Sequence, residues 1–159
     1  TSTSKAYQLY LDSGKLPALN VADIYKPKEA SAENPVPLIL VAPGIQRTKE
    51  TQASFCIELV RRGFGVICID PFGQGESSPS YESQSATNEG YGLFYWMDYL
   101  YSDEGKAEFD WVNYDMIGAT GHSAGGNGAQ KLAEREGKLA GDTKTKSRIN
   151  SVYITFSPV

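Results

Sequence analysis

The hydrophobic positions of this chain change period several times, and each change marks an element. Tyr7, Leu9 and Leu11 alternate with Gln8 and Tyr10, the two-residue period of a half-buried strand. A second strand is expected over residues 19–25, followed by a polar, proline-bearing turn over 26–37. Leu38-Ile39-Leu40-Val41-Ala42 is an unbroken apolar run stopped by Pro43-Gly44, the pattern of a strand buried on both faces of a parallel sheet. The period then lengthens. Ala53, Cys56, Ile57 and Val60 fall at i, i+3, i+4 and i+7, one face of a helix, with Thr48 as its N-cap and Gly63 as its stop. Val66 to Ile69 is the next buried strand, ending at Asp70-Pro71. Residues 90–101 read as a helix, 116–120 as a short strand of small residues, and 124–136 as a helix closed by Gly137. A basic loop over 138–148 leads to a last strand over 152–156.

Strands alternating with helices predict an α/β fold, a mostly parallel sheet with helices on both faces, here as one domain over residues 1–159. In such sheets ligands bind beyond the carboxyl ends of the strands. Three strand ends carry unusual residues: Pro43-Gly44-Ile45, Asp70-Pro71-Phe72-Gly73-Gln74-Gly75, and Gly121-His122-Ser123-Ala124-Gly125. The last matches G-x-S-x-G and lies between a strand-like run, 116–120, and an apolar helical face formed by Ala129, Leu132 and Ala133. On such a strand-to-helix turn the serine backbone is strained, and side chains two residues to either side would collide with the neighbouring strand or helix. The turn pushes the Ser123 hydroxyl above the sheet and leaves the Ala124 N–H at a helix N-terminus, where it can stabilise an oxyanion.

With these segments in hand, the chain resembles the α/β-hydrolase superfamily. Residues 70–77 look like that family's D-x-x-G-x-G-x-S segment, and Pro43-Gly44-Ile45 looks like its His-Gly-x turn with proline replacing the histidine. The resemblance implies an α/β-hydrolase fold followed through its sixth strand and lacking its last strands. It also implies a serine esterase or lipase-like activity through an acyl-enzyme at Ser123. The oxyanion donors would be the backbone N–H groups of Ala124 and Ile45, with Gln46 a second candidate for the latter.

The family's triad acid and histidine follow the serine in the chain. Only residues 126–159 do so here, and they contain no histidine. His122 is the single histidine, and as the neighbour of Ser123 in the turn its side chain is expected to point into the packing beside it. Asp70 reads as a structural residue at a strand end; Asp98, Asp103, Asp110, Asp115 and Asp142 have no motif support. A serine hydroxyl without a base is a poor nucleophile, so this chain alone is expected to be inactive.

Composition narrows the alternatives. A net charge of −4 argues against a nucleic-acid-binding face. Two cysteines and one histidine make no plausible zinc set, and no cofactor is expected; Cys56 and Cys68 read as buried core thiols. No apolar run is long enough to span a bilayer, and the N-terminal Thr1 suggests a soluble domain excised from a larger or membrane-anchored protein. Tyr91, Phe94, Tyr95, Trp96, Tyr99 and Tyr101 read as a helix packed on the sheet, or else as the wall of a substrate pocket. The expected partners are a small-molecule ester and either the missing C-terminal portion of the fold or a second copy paired through 152–156, whose edge would be open. Two competing readings are a non-catalytic interaction module and an NAD(P)-binding oxidoreductase. For the second, Thr120-Gly121 through Gly125 begins like T-G-x-x-x-G-x-G, but Asn127 occupies the last glycine position and the match lies far from a first strand.

Overall fold

In the computed structural model, which describes residues 2–9, 18–44, 47–72, 74–75, 77 and 88–155, the apolar run at 38–42 becomes part of β3 (Val36–Ala42). It is hydrogen-bonded on both sides, to β4 (Gly65–Ile69) and to β5 (Val112–His122), and runs parallel to each. β5 pairs in parallel with β6 (Ser151–Thr155). At the other end, β1 (Ser2–Leu9) pairs antiparallel with β2 (Ala18–Tyr25), which pairs antiparallel with β4. The order β1-β2-β4-β3-β5-β6 makes a mixed sheet, parallel from β4 to β6, in which β3 is shielded on all sides.

Strand alternation divides the core in two. Leu38, Leu40 and Ala42 face α2 (Asn88–Tyr101) and α4 (Ala124–Thr143), and pack with Leu93, Trp96, Met97, Leu100, Ala129 and Leu132. Val41 faces the opposite way and meets Cys56 of α1 (Ala53–Arg61), together with Tyr25, Val66 and Cys68. Trp96 of the aromatic run on α2 belongs to the core, with Phe94, Tyr99 and Tyr101 packed against it. Trp96 is wholly buried and meets Tyr99 and Phe109 edge-on. The Tyr99 hydroxyl is hydrogen-bonded to Glu108, and that of Tyr101 donates to the Tyr114 carbonyl.

Several boundaries differ from the periodicity. Thr48 precedes a 3-10 turn (Lys49–Gln52) rather than α1 itself, and its side chain caps nothing. Of the helical face at 53, 56, 57 and 60 only Cys56 is buried, while Ile57 and Phe55 are 44% and 40% exposed. Among the described residues α1 lies on a sheet face that no other long helix shares, so a single contact row covers a narrow stripe of it. Gly63 does end the helix, at a φ of 93° that favours glycine. A short helix, α3 (Asp103–Glu108), was not expected; Ser102 caps it by accepting the Gly105 N–H, and Asp103 and Glu104 occupy its first turn. β5 starts at Val112, four residues before its expected beginning, across a register shift opposite Val36 and Leu38.

The largest correction concerns α4, which does not stop at Gly137 but continues to Thr143, closing on Lys144 in the left-handed conformation. An ion-pair network brackets the extension. The buried Glu136 carboxylate accepts from Arg148 Nε at 2.6 Å and Nη2 at 2.5 Å, and from Arg135 at 3.2 Å. Both arginines also reach Asp98 of α2. Bidentate pairs of this kind fix geometry as well as charge. The network ties α2, α4 and the segment entering β6 together, and much of the supposed basic loop is helix. None of the helices among the described residues is long and apolar enough to cross a membrane.

Candidate functional site

At the junction of β5 and α4 the backbone makes its sharpest departure from regular structure. Ser123 has φ 54° and ψ −115°, and among the described residues Lys144 is the only other non-glycine at positive φ. A side chain held there is strained and persists only where its surroundings fix it. The surroundings are glycines. A Cβ on Gly121 would overlap the Gly125 carbonyl, and one on Gly125 would overlap the Ala42 carbonyl at the end of β3. Strand and helix therefore meet too closely for any side chain at either position. Ser123 itself is exposed above the sheet. The Asn127 N–H returns to the Ser123 carbonyl at 3.1 Å, which opens α4, and the first N–H groups of a helix, that of Ala124 included, lack intrahelical partners.

The end of β3 reaches the same place. A Cβ on Gly44 would lie 3.2 Å from the His122 carbonyl oxygen and 3.6 Å from Ser123 Cβ. The chain then turns, with the Arg47 N–H donating to the Gly44 carbonyl at 3.1 Å. Ile45 and Gln46, the expected donors of this turn, lie outside the described residues.

The end of β4 supplies the third component. Asp70 is completely buried and accepts the Lys49 N–H at 2.8 Å. Its carbonyl accepts from the Ser77 hydroxyl at 2.6 Å, which in turn accepts the Val21 N–H at 2.9 Å. Gly75, at φ 55°, lies so close that a Cβ there would overlap the Asp70 carboxylate. Gln74, from the same loop, reaches across to the β3 end, its Nε2 donating to the Gly44 carbonyl at 3.0 Å and the Arg47 carbonyl at 2.5 Å.

Lys49 had no signature in the sequence. It is 1% exposed, with its ammonium 2.6 Å from Glu50, 3.6 Å from Asp70 and 3.8 Å from Asp23. The hydrogen bond from Lys49 is the main cause holding the Glu50 carboxyl below its ordinary range. A lone lysine in a polar stretch gives no sign of burial, because the acidic partners arrive from β2 and β4. His122 is half-buried and lies against Gly44. The other acidic residues are occupied elsewhere or exposed: Asp98 pairs with Arg135 and Arg148, Asp103 sits in the first turn of α3, and Asp110, Asp115 and Asp142 face solvent. Cys56 and Cys68 are free and buried, and the Cys68 thiol is pushed well above its ordinary range by hydrogen bonding with Cys56 and by burial.

A cleft of about 280 Å³ is lined by Asp98, Glu136, Leu139, Thr143, Lys146 and Arg148, among others. It lies near the far end of α4, roughly 20 Å along the helix from Ser123 at 1.5 Å per residue, and its central charges are already engaged with one another. The turn at residues 120–125 joins the fifth strand, not the first, to α4, and Asn127 is exposed, which gives the dinucleotide reading no support.

No family model matches the sequence, and no curated protein matches it. Solved structures do. The α/β hydrolase GrgF from Penicillium sp. sh18 superposes with a TM-score of 0.67 at 13% identity, over 97% of this chain and 45% of that one. Est1E from Butyrivibrio proteoclasticus, solved with ferulic acid bound, gives 0.62 at 21% identity, over 77% and 46%. Epoxide hydrolase A from Mycobacterium thermoresistibile gives 0.63 at 16% identity, over 96% and 39%. The chain thus has the α/β-hydrolase fold and spans less than half the length of these neighbours.

Proposed function

We propose that this hydrolase-like fold carries Ser123 as the nucleophile of a serine hydrolase acting on carboxylic esters. The Ser123 Oγ would attack the ester carbonyl to form an acyl-enzyme, and the Ala124 and Ile45 N–H groups would stabilise the oxyanion. The observation that carries this reading is the strained, glycine-flanked turn at Ser123, which presents a single hydroxyl at a helix N-terminus beside Gly44. Strain of this kind is typically found where it serves a mechanism. The sequence of these 159 residues offers no histidine base after the serine, since its one histidine is residue 122. Loss of a triad member leaves only a residual rate of about 10³–10⁴ over water, so the chain by itself is expected to show no appreciable turnover of p-nitrophenyl acetate at neutral pH. Turnover abolished by Ser123→Ala would contradict the inactivity while confirming the nucleophile. Fluorophosphonate labelling that Ser123→Ala abolishes favours the hydrolase over a non-catalytic interaction module.

The remaining parts of the site would come from outside the described residues. β6 has β5 as its one neighbour among the described strands, and an unpaired edge templates further pairing. The edge would take either a further portion of the hydrolase fold or a second copy of this chain. The isolated 159-residue chain is therefore expected to self-associate through β6 at high concentration; light scattering that returned the 17.3 kDa monomer mass would argue against it.

A further inference from the structure

We infer that Cys56 and Cys68 form a modification site, a thiol pair that a small-molecule disulfide oxidises to a covalent bond between α1 and β4. The strand register fixes the face that Cys68 occupies. On β4, Ile67 and Ile69 pack with the residues of α2 and α4, whereas Val66 and Cys68 belong to the opposite face. Cys68 stands beside Val41 of β3 and Asp23 of β2, and Val66 stands beside Tyr25. The helix on this face is α1, and Cys56 is its one fully buried residue. Cys56 joins Tyr25, Val41, Val66 and Cys68 in a single cluster, with both thiols free and shielded from solvent. The point at which α1 enters the sheet face is therefore a thiol, and the patch it enters holds the second.

Hydrogen bonding with Cys56, together with burial, holds the Cys68 thiol well above its ordinary range. Cys68 also donates to the Lys49 carbonyl at 3.7 Å. A thiol kept protonated is a poor nucleophile, so the first attack falls to Cys56. Its element is the looser of the two. Phe55 and Ile57 beside it face solvent, and lifting α1 breaks only a narrow row of contacts, a local opening that leaves the sheet intact. The Cys56 thiolate then attacks the oxidant: a bond forms to one oxidant sulfur, the oxidant S–S bond breaks, and one thiolate leaves. The Cys68 sulfur next attacks that of Cys56, loses its proton to solvent and displaces the second thiolate. Two electrons pass from the cysteines to the oxidant, which departs as two thiols. The new bond fastens α1 to β4 and removes the hydrogen donated to Lys49, in the turn that leads into α1.

The test incubates the folded chain in non-denaturing buffer with excess glutathione disulfide. Intact mass, thiol titration in denaturant and amide hydrogen exchange are followed together. The expected product has lost two hydrogens and both free thiols, carries no glutathione and migrates as a single chain on a non-reducing gel. Amides of α1 should exchange about tenfold more slowly than in the reduced chain, because the crosslink confines the opening, with β3 amides unchanged and dithiothreitol restoring the original rates. Cys68→Ala removes the resolving thiol and should trap one glutathione on Cys56; a folded variant left unmodified overturns Cys56 as the first thiol to react. The native chain decides the pairing whether or not that variant folds. Thiols that stay free in the folded chain while the urea-unfolded chain is oxidised overturn the proposal, and so does a disulfide between two chains. A glutathione adduct that persists on the native chain does so as well, since Cys68 would then lie out of reach.

Discussion

Gly125→Ala is expected to lower the thermal midpoint on the order of 10 °C, from a cost of roughly 3 kcal/mol or more in a chain of this size. Alanine is ordinarily the better helix former, so propensity alone predicts the opposite sign. Packing decides the outcome. The new methyl would enter the space of the Ala42 carbonyl and come to 2.5 Å from the Pro43 carbonyl oxygen. Both are backbone atoms at the end of β3, a strand fixed on each side by β4 and β5, so neither can swing aside as a side chain would. Relief requires α4 to lift from the sheet, which would disturb Ala129 and Leu132 in the core. Gly137→Ala provides the internal control. It lies in the same helix with nothing within 4 Å of the added carbon, and should raise the midpoint by roughly 2–4 °C, from about 1 kcal/mol of helix propensity. Thermal unfolding followed by circular dichroism measures both. Equal shifts for the two variants would show that α4 is not pressed against β3 at Gly125.

Asp70→Ala should be at least as damaging, by about 3–5 kcal/mol, because it removes one partner of a buried charge. Asp70 is fully buried, and the Lys49 ammonium beside it is nearly so. Without the carboxylate, Lys49 keeps Glu50, whose side chain is 61% exposed, and the more distant Asp23 at 3.8 Å. The Lys49 N–H would also lose its 2.8 Å acceptor, loosening the segment that leads into α1. The double variant Asp70→Ala, Lys49→Met separates charge from hydrogen bonding. Replacing a buried ion pair by apolar groups is often neutral, so it should recover most of the loss in urea midpoint. If the double variant were as unstable as the single one, the cost would lie in the lost backbone contacts and not in the weakened pairing of the ammonium.

A single physical circumstance links both predictions to the proposed chemistry. The ends of β3, β4 and β5 lie within hydrogen-bonding or van der Waals reach of one another, and Gly44, Gly75, Gly121 and Gly125 occupy the places where a side chain would keep them apart. The serine turn and the segment after β3 are held by contacts between elements, so a change at one strand end is transmitted to the next through backbone and not through flexible side chains.

The order of strands and helices was legible in the sequence because burial imposes its period directly on the residue types: the run at 38–42 and the face formed by Ala129 and Leu132 are written in hydrophobicity alone. The serine turn was legible for a similar reason, since glycine is the one residue that tolerates such close backbone approach, and it stands at 121 and 125. What depended on partners distant in the chain was not. The burial of Lys49 follows from Asp23 and Asp70, the burial of Glu136 from its pairing with Arg148, and the exposure of Ile57 from the narrow contact of α1 with the sheet. The double reach of Gln74 belongs with these. Local pattern reports how a residue relates to water and to its neighbours along the chain, whereas a buried charge or a bridging amide is stable only once folding brings its partners within reach.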